Sequence, residues 1–225
     1  MQTPAFPAAV IAALAVFALG AAPLTESTAA SGLKDALRVA TERAVQSTSQ
    51  TNGFLDNPKI RIPLPGKLDT LATALRGIGM GSQVDELETS MNHAAEKASA
   101  EATPVFVDAI SQMSFKDATA ILKGNDTAAT QYFEKKTTDP LRTKFSPIVG
   151  EAMKDVGVTK LYDELVGQYT KSVPFASAPS LDLNAYVTDK TLSGLFTVVG
   201  EEEKKIRTNP TARATDLLKQ VFGGL

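Results

Sequence analysis

Residues 183–206 read LNAYVTDKTLSGLFTVVGEEEKKI, and this stretch decides the fold. Its middle part, residues 191–200, carries no charged side chain on any face of a helix. A helix that is apolar all round is normally buried inside a protein. We therefore predict a helix over 183–206 whose part 183–200 lies at the centre of a helical bundle. Its tail, Glu201 to Lys205, carries opposite charges three and four residues apart, which predicts a solvated helix end.

Apolar residues recur every third or fourth position through most of the remaining chain, which is the spacing of an amphipathic helix. Thr103-Pro104, Asp139-Pro140 and Asn209-Pro210 each place a capping residue before a proline, and this order is typical of a helix start. The fold class that we predict is therefore an all-α, multi-helix bundle. The predicted helices span residues 32–49, 66–77, 82–102, 104–113, 115–123, 127–138, 140–156, 159–171, 183–206 and 210–222.

Two stretches of the predicted bundle are not helical. Residues 50–65 contain three prolines, and Ile60, Ile62 and Leu64 alternate as in a strand, although the prolines allow at most an edge piece. The apolar residues of this long loop predict that it packs on the bundle. Residues 172–181 form a second linker, with two more prolines.

The first thirty residues predict a cleaved signal peptide with a short spacer. Residues 8–22 are uncharged, and as a helix they would rise roughly 22 Å, short of the ~30 Å hydrocarbon core. Small residues suited to cleavage follow, so cleavage is expected between about Gly20 and Ala30. No Lys or Arg precedes the apolar run, which is unusual for such a signal. After cleavage we expect residues 31–225 to form a single all-α domain without a stable membrane span.

Charge and composition exclude several classes of function. The 23 basic and 25 acidic residues are mixed along the chain and give a net charge of −2, so no basic cluster offers a nucleic-acid footprint. There is no cysteine, which excludes a disulfide and a thiol nucleophile. An exported protein without disulfides favours a bacterial envelope over a eukaryotic secretory route. We expect a periplasmic or secreted location.

The single histidine, His93, is the first candidate for chemistry. Ser90, His93 and Glu96 form a row on the helix over 82–102, and His93 lies roughly 150° from its apolar stripe at about 100° per residue. We therefore expect His93 and Glu96 to face solvent. A serine within a helix has no free backbone N–H groups nearby for an oxyanion hole, so we assign no catalytic residue. A metal site using His93 and Glu96 is the less favoured alternative, and we predict no metal and no cofactor.

Gly77, Gly79 and Gly81 could suggest a phosphate-binding loop. Such a loop needs a strand before it, whereas here a helix precedes. The glycines instead predict a helix end followed by a turn between helices.

Arg207 and Arg213 flank the predicted helix start at Asn209-Pro210. Two guanidinium groups beside a helix N-terminus would suit an anion, which makes these residues the candidate ligand-binding residues. The favoured alternative is that they form ion pairs with Glu201 to Glu203.

Several short pieces of the sequence together resemble one known family. The resemblance runs from about Leu33 to Gly223. It is to the bacterial domain-of-unknown-function family 4197 (DUF4197), and it implies an exported, mostly helical protein of Gram-negative bacteria with no assigned activity. The pieces are Leu64-Pro65-Gly66, MNHAAE at 91–96, Pro104-Val105-Phe106, Asp117-Ala118, Ile121-Leu122, AATQYF at 128–133, Tyr186-Val187-Thr188, Gly194-Leu195-Phe196, RTNP at 207–210 and Val221-Phe222-Gly223.

Three functions fit these observations. The first is a periplasmic carrier for a lipid or another apolar or amphipathic ligand, because the apolar loop 50–65 could cover a cavity. The second is a structural module that contacts an envelope protein partner through its helix faces. The third is an enzyme that needs only Asp, Glu, Lys, Arg or Tyr. An enclosed apolar cavity would favour the carrier, and a filled core with exposed apolar side chains would favour the interaction module.

Overall fold

The computed structural model describes residues 26–155, 157–173 and 181–209, and within these ranges the chain is helical with no β-strand. This confirms the predicted all-α class. No helix within the same ranges combines the length and the apolar character that crossing a bilayer requires. The helices are α1 (Glu26–Ser49), α2 (Asp69–Gly77), α3 (Gly81–Ser99), α4 (Thr103–Ser111), α5 (Phe115–Leu122), α6 (Ala128–Asp155), α7 (Val158–Ser172) and α8 (Leu183–Thr208).

Helix α8 lies at the centre of the bundle, as its uncharged middle predicts. It packs against α1, α3 and α6. Its side chains are buried from Leu183 to Ile206 on more than one face, because three neighbouring helices remove three sides from water. The prediction of a solvated tail is wrong for Glu202 and Glu203, which are both buried. The prediction fails because sequence spacing predicts contacts only within one helix, whereas these two side chains are covered by other helices.

Helix α6 runs without interruption where two helices, 127–138 and 140–156, are predicted. Pro140 and Pro147 both lie inside it and on its exposed side. Proline normally ends a helix because it lacks an N–H group and crowds the preceding turn. Here a continuous row of buried side chains crosses the predicted break, and its packing against α8 and α3 outweighs the loss. The row consists of Phe133, Thr137, Leu141, Phe145, Val149 and Ala152.

Other boundaries shift by a few residues. Helix α1 begins at Glu26 rather than at 32, so it crosses the predicted boundary between spacer and domain. The predicted helix 82–102 changes to a 3-10 turn at Ala100–Ala102 before α4 begins. The three glycines from Gly77 to Gly81 form a tight turn between α2 and α3. Gly79 has a φ of 85°, a conformation that favours glycine, so the prediction of a turn is correct.

The loop 50–65 packs on the bundle, as its apolar residues predict. Phe54, Ile60 and Ile62 are buried, while Arg61 and Pro63 between and beside them are exposed. The alternation is therefore real, but no strand partner accompanies it within the described chain. The loop seats against α8 at Gly194, where an added Cβ would lie 2.6 Å from Phe54 Cε1 and 3.2 Å from Ile60 Cβ. Glycine at this position lets the loop approach the central helix closely.

Candidate functional site

Asn92 on α3 holds the middle of the loop. Its Oδ1 accepts a hydrogen bond from the backbone N–H of Ile62 at 2.8 Å, and its Nδ2 donates to the carbonyl of Ile62 at 2.9 Å. Nδ2 also donates to the carbonyl of Glu88 at 2.8 Å. The side-chain amide thus satisfies both backbone groups of Ile62, as a neighbouring strand would do.

Glu96, one turn further along α3, holds the beginning of the same loop. Its carboxylate accepts hydrogen bonds from the backbone N–H groups of Asn52 at 3.1 Å, Phe54 at 3.1 Å and Leu55 at 3.4 Å. The residue is only 5% exposed. The prediction that Glu96 faces solvent is therefore wrong. The helix face opposite the apolar stripe is covered by the loop 50–65, which a period within α3 cannot reveal.

We call the contact between the Glu96 carboxylate and the loop N–H groups the Glu96 clamp. His93 lies at its edge and is half buried, so it is less exposed than predicted. Its Nε2 lies 3.1 Å from Oδ1 of Asn52, with which it shares a hydrogen bond. Asn52 has a φ of 61°, a left-handed conformation that asparagine tolerates better than most residues. His93 and Glu96 therefore share Asn52 as a partner and together fix the turn where the loop begins.

The row Ser90, His93 and Glu96 does not form a catalytic triad geometry. Ser90 is buried, and no hydrogen bond within the described ranges joins its hydroxyl to His93. The Glu96 carboxylate is engaged by loop N–H groups rather than by the imidazole. In the described part of the chain, no group of three or more His, Asp or Glu side chains is arranged to hold a metal ion.

Glu203 on α8 forms a second buried carboxylate site. It accepts hydrogen bonds from the backbone N–H groups of Ala129 at 2.9 Å and Thr130 at 2.8 Å, and from Oγ1 of Thr130 at 2.8 Å. Ala129 and Thr130 belong to the first turn of α6, whose N–H groups have no partner within the helix. Glu203 therefore caps α6 from another helix and places a negative charge at the positive end of the helix dipole.

Arg207, one of the two candidate anion ligands, is engaged by this site. Its guanidinium lies 2.9 Å from the Glu203 carboxylate, and the two side chains are 9% and 4% exposed. It also donates to the carbonyl of Ile121 in the last turn of α5 at 2.9 Å. This is the predicted alternative of pairing with Glu201 to Glu203. Arg213 lies outside the described residues, so the anion site stays a prediction.

The described titratable groups with shifted pKa values lie on four helices, α5 to α8. The hydroxyl and backbone N–H of Ser114 hold the pKa of Asp117 below its ordinary value, in the capping box that begins α5. Burial raises the pKa values of Tyr132, Tyr162 and Tyr186, which lie on three different helices. The Asp117 carboxylate adds to the raised pKa of Tyr132, whereas Tyr162 and Tyr186 lie on other helices.

Several hollows of the described chain are open to solvent. One is a surface groove of about 730 Å³ beside α7, lined by Met80 of the turn before α3 and by charged residues of α6 and α7. A shallow hollow of about 360 Å³ lies at His93 and Lys97. The apolar hollow between α1 and α8 has a volume of only about 10 Å³, less than a lipid chain or a drug-sized ligand needs.

A few large apolar side chains are exposed to solvent. Ile78 is 53% exposed on the turn between α2 and α3, Phe115 is 49% exposed at the start of α5, and Val107 is 37% exposed on α4. The turn that carries Ile78 is fixed by backbone hydrogen bonds from Ile78, Gly79 and Met80 to the last turn of α2. This side chain is therefore presented to water by an ordered segment.

The described residues form an all-α bundle with a buried apolar core, two buried carboxylate sites and an open groove. A family model described as a protein of unknown function (DUF4197) matches residues 23–223, and the chain belongs to this family. This confirms the resemblance that the sequence motifs indicate. No curated protein and no solved structure gives a significant match.

Proposed function

We propose that this protein is a non-catalytic interaction module of the cell envelope, which contacts a protein partner through exposed helix surfaces. The observation that carries the proposal is the filled interior of the described bundle. The loop 50–65 fills the space against α8, with Phe54 and Ile60 in contact distance of Gly194, instead of covering a cavity. Exposed Ile78, Phe115 and Val107 offer apolar contacts on the surface.

The filled interior argues against the carrier function that the sequence favours. A carrier for an apolar ligand normally encloses most of the ligand surface, in a cavity of several hundred cubic ångströms. Within the described chain, the hollows at Lys160, Lys97 and Lys204 have volumes of about 730, 360 and 430 Å³, and all three are open and rimmed by charged side chains. The third function, an enzyme that uses only carboxylate, amine, guanidinium or phenol groups, is not supported by a convergent set of such groups among the described residues.

Export to the periplasm is part of this proposal, and the apolar run of the predicted signal peptide, residues 8–22, lies outside the described residues. Helix α1 begins at Glu26, and Ala30 packs partly against the core. Cleavage after Gly20 or Ala22 would leave α1 whole, whereas cleavage after Ala30 would remove its first turn. We therefore expect the earlier positions to be used. Intact-mass measurement of the protein recovered from the periplasm tests this, and a full-length mass there would contradict it.

Native mass spectrometry distinguishes the interaction module from the carrier. The protein is purified from the envelope fraction of its own cells without detergent, and the mass of the folded species is measured. An interaction module is expected to have the mass of the chain alone or of whole-protein complexes. A stoichiometric lipid-sized addition would contradict the proposal and support the carrier.

Photocrosslinking tests the proposed surface directly. A photoreactive phenylalanine analogue replaces Ile78 in cells, and a matched variant carries it at Gln46, an exposed position on α1. The proposal expects one defined protein adduct from position 78 and none from position 46. Equal labelling at positions 78 and 46 would overturn the proposal. The same analogue is placed at the other two exposed apolar positions, Val107 and Phe115, and the absence of an adduct from all three would also overturn it.

A further inference from the structure

The outer face of α7 carries a regular pattern that the bundle itself does not use. Asp163, Gly167 and Lys171 follow one another four residues apart, so they form one row along the helix. All three line the groove of about 730 Å³. The opposite face of α7 packs on the bundle through buried Val158 and Leu165.

The charges at the two ends of this row have no ion-pair partner within the described ranges. Glu164 and Lys160 on the same helix lie 3.8 Å apart and neutralise each other, whereas no such contact joins Asp163 or Lys171 to another described residue. Asp163 and Lys171 are both exposed. An acid and a base are therefore displayed about 12 Å apart along the helix axis, at 1.5 Å per residue.

Gly167, at the middle of the row, has no steric reason to be glycine in the monomer. An added Cβ would meet no atom within 4 Å. Its backbone is helical, without a positive φ. Glycine is one of the least favourable residues inside a helix, and alanine at such a site usually stabilises it. A small residue with open space in front of it is what close approach of another backbone requires.

The charges of this row are complementary to those of a second copy of α7 that runs in the opposite direction. Asp163 lies four residues before Gly167, and Lys171 lies four residues after it. Two copies of α7 that cross antiparallel at Gly167 would bring each acid opposite the base of the other copy. Contacts of this self-complementary kind are typical of two-fold symmetric dimers.

We propose that a second copy of this chain docks on α7, with the two α7 helices antiparallel and crossing at Gly167, and with Asp163 of each copy paired to Lys171 of the other. The mixed charge disfavours nucleic acid and anionic lipid surfaces, which select single-sign basic patches. The dimer does not depend on the proposed function, since it needs no foreign partner.

Charge reversal tests the pairing. The mature protein is measured by analytical ultracentrifugation over a wide concentration range at low salt. The wild type is expected to dimerise reversibly. Asp163→Lys and Lys171→Asp should each weaken the dimer about tenfold or more, because two attractions become two repulsions. The double variant, Asp163→Lys with Lys171→Asp, should recover wild-type association.

A substitution at the crossing point tests the geometry. Gly167→Leu should abolish the dimer, while its thermal unfolding shows that the monomer is still folded. The matched control is Thr143→Leu at an exposed position on α6, which should leave association unchanged. A wild type that stays monomeric at millimolar concentration, or a double reversal no better than the single ones, would overturn the proposal. Crosslinking from position 78 to a foreign protein would be unaffected by either result.

Discussion

Glu96 and Glu203 are both buried carboxylates that accept backbone N–H groups from a distant part of the chain, yet their surroundings differ. Glu203 faces Arg207, so the buried charge is neutralised, and its N–H donors belong to the first turn of a helix. Glu96 has no ion-pair partner among the described side chains, and its donors belong to an irregular loop. Buried backbone N–H groups without partners in regular secondary structure must still form hydrogen bonds. In this protein a carboxylate from a distant helix accepts them, at a helix start in one case and in a loop in the other.

The two sites are expected to contribute differently to the free energy of unfolding. Removing one member of a buried ion pair leaves the other charged and unpaired, which is more costly than losing neutral hydrogen bonds. Arg207 is 9% exposed and also holds Ile121 at the end of α5, so the pair joins two helix ends to α8. The Glu96 clamp joins one loop to one helix. We therefore expect the Glu203 site to control global stability and the Glu96 site to control local opening.

The largest effect is expected from Glu203→Ala. It leaves Arg207 buried without its carboxylate and removes the acceptors for Ala129 and Thr130. The free energy of unfolding should fall by about 3–5 kcal/mol, as measured by urea denaturation. The double variant Glu203→Met with Arg207→Met should lose much less. If the double variant is as unstable as Glu203→Ala, the pair is not the cause.

A smaller effect is expected where the loop meets the central helix. Gly194→Ala places a Cβ against the ring of Phe54, and overpacking of this kind costs about 1–3 kcal/mol. The matched control is Gly200→Ala on the same helix, where an added Cβ would meet Thr130 only at ordinary contact distances of 3.5 Å and more, so this change should stabilise the chain slightly. Thermal unfolding of the two variants compares them. Equal changes in the unfolding temperature would mean that the loop 50–65 shifts to make room for the added methyl group.

The Glu96 clamp is expected to act locally. Glu96→Gln keeps the shape but loses the charge and half of the acceptor capacity, which should cost about 1–3 kcal/mol. Hydrogen exchange should quicken at Asn52, Phe54 and Leu55, while the amides of Ala129 and Thr130 keep their protection. Faster exchange at both sites would show that the two clamps are coupled, and would contradict the local role expected for Glu96.

The smallest effect is expected outside both clamps, at the capping box of α5. Ser114→Ala removes the hydroxyl that accepts from the backbone N–H of Asp117, at a cost of about 1 kcal/mol at neutral pH. The same hydroxyl donates to the Asp117 carboxylate at 2.7 Å and lowers the pKa of Asp117 in the folded protein, so the contribution of this second bond is complete above the ordinary pKa. It is lost as the pH falls through the lowered value. The stability difference between wild type and variant should therefore shrink in acid, and a constant difference would contradict this.

Much of the architecture follows from spacing and composition. The uncharged stretch 191–200 places α8 at the centre, the three glycines from Gly77 to Gly81 mark a turn, and the apolar residues of the loop 50–65 predict its packing. The predicted helix 115–123 begins at Phe115, directly after the capping residue Ser114. These features are local, since each depends on residues within a few turns of one another, and a single sequence contains them in full.

The clamps could not be predicted in this way. Asn92, Glu96 and Glu203 are polar residues on helix faces that sequence spacing assigns to solvent or leaves unassigned. Each binds backbone groups between 30 and 74 residues away. Nothing in a single sequence says which helix face a distant loop will cover. Pro140 shows the converse. Asp139-Pro140 is a strong local signal for a helix start, but α6 continues through it because a row of buried side chains extends across this position.

The sequence by itself determined the helical class, the central helix, the family and the absence of cysteine chemistry, because periodicity and composition are properties of the chain alone. Only the tertiary structure decided which polar side chains are buried, that the loop fills space rather than enclosing it, and which face of α7 is left open. The physical reason is that burial and pairing of a polar group depend on what other segments bring to it, and backbone groups must be satisfied wherever the chain places them.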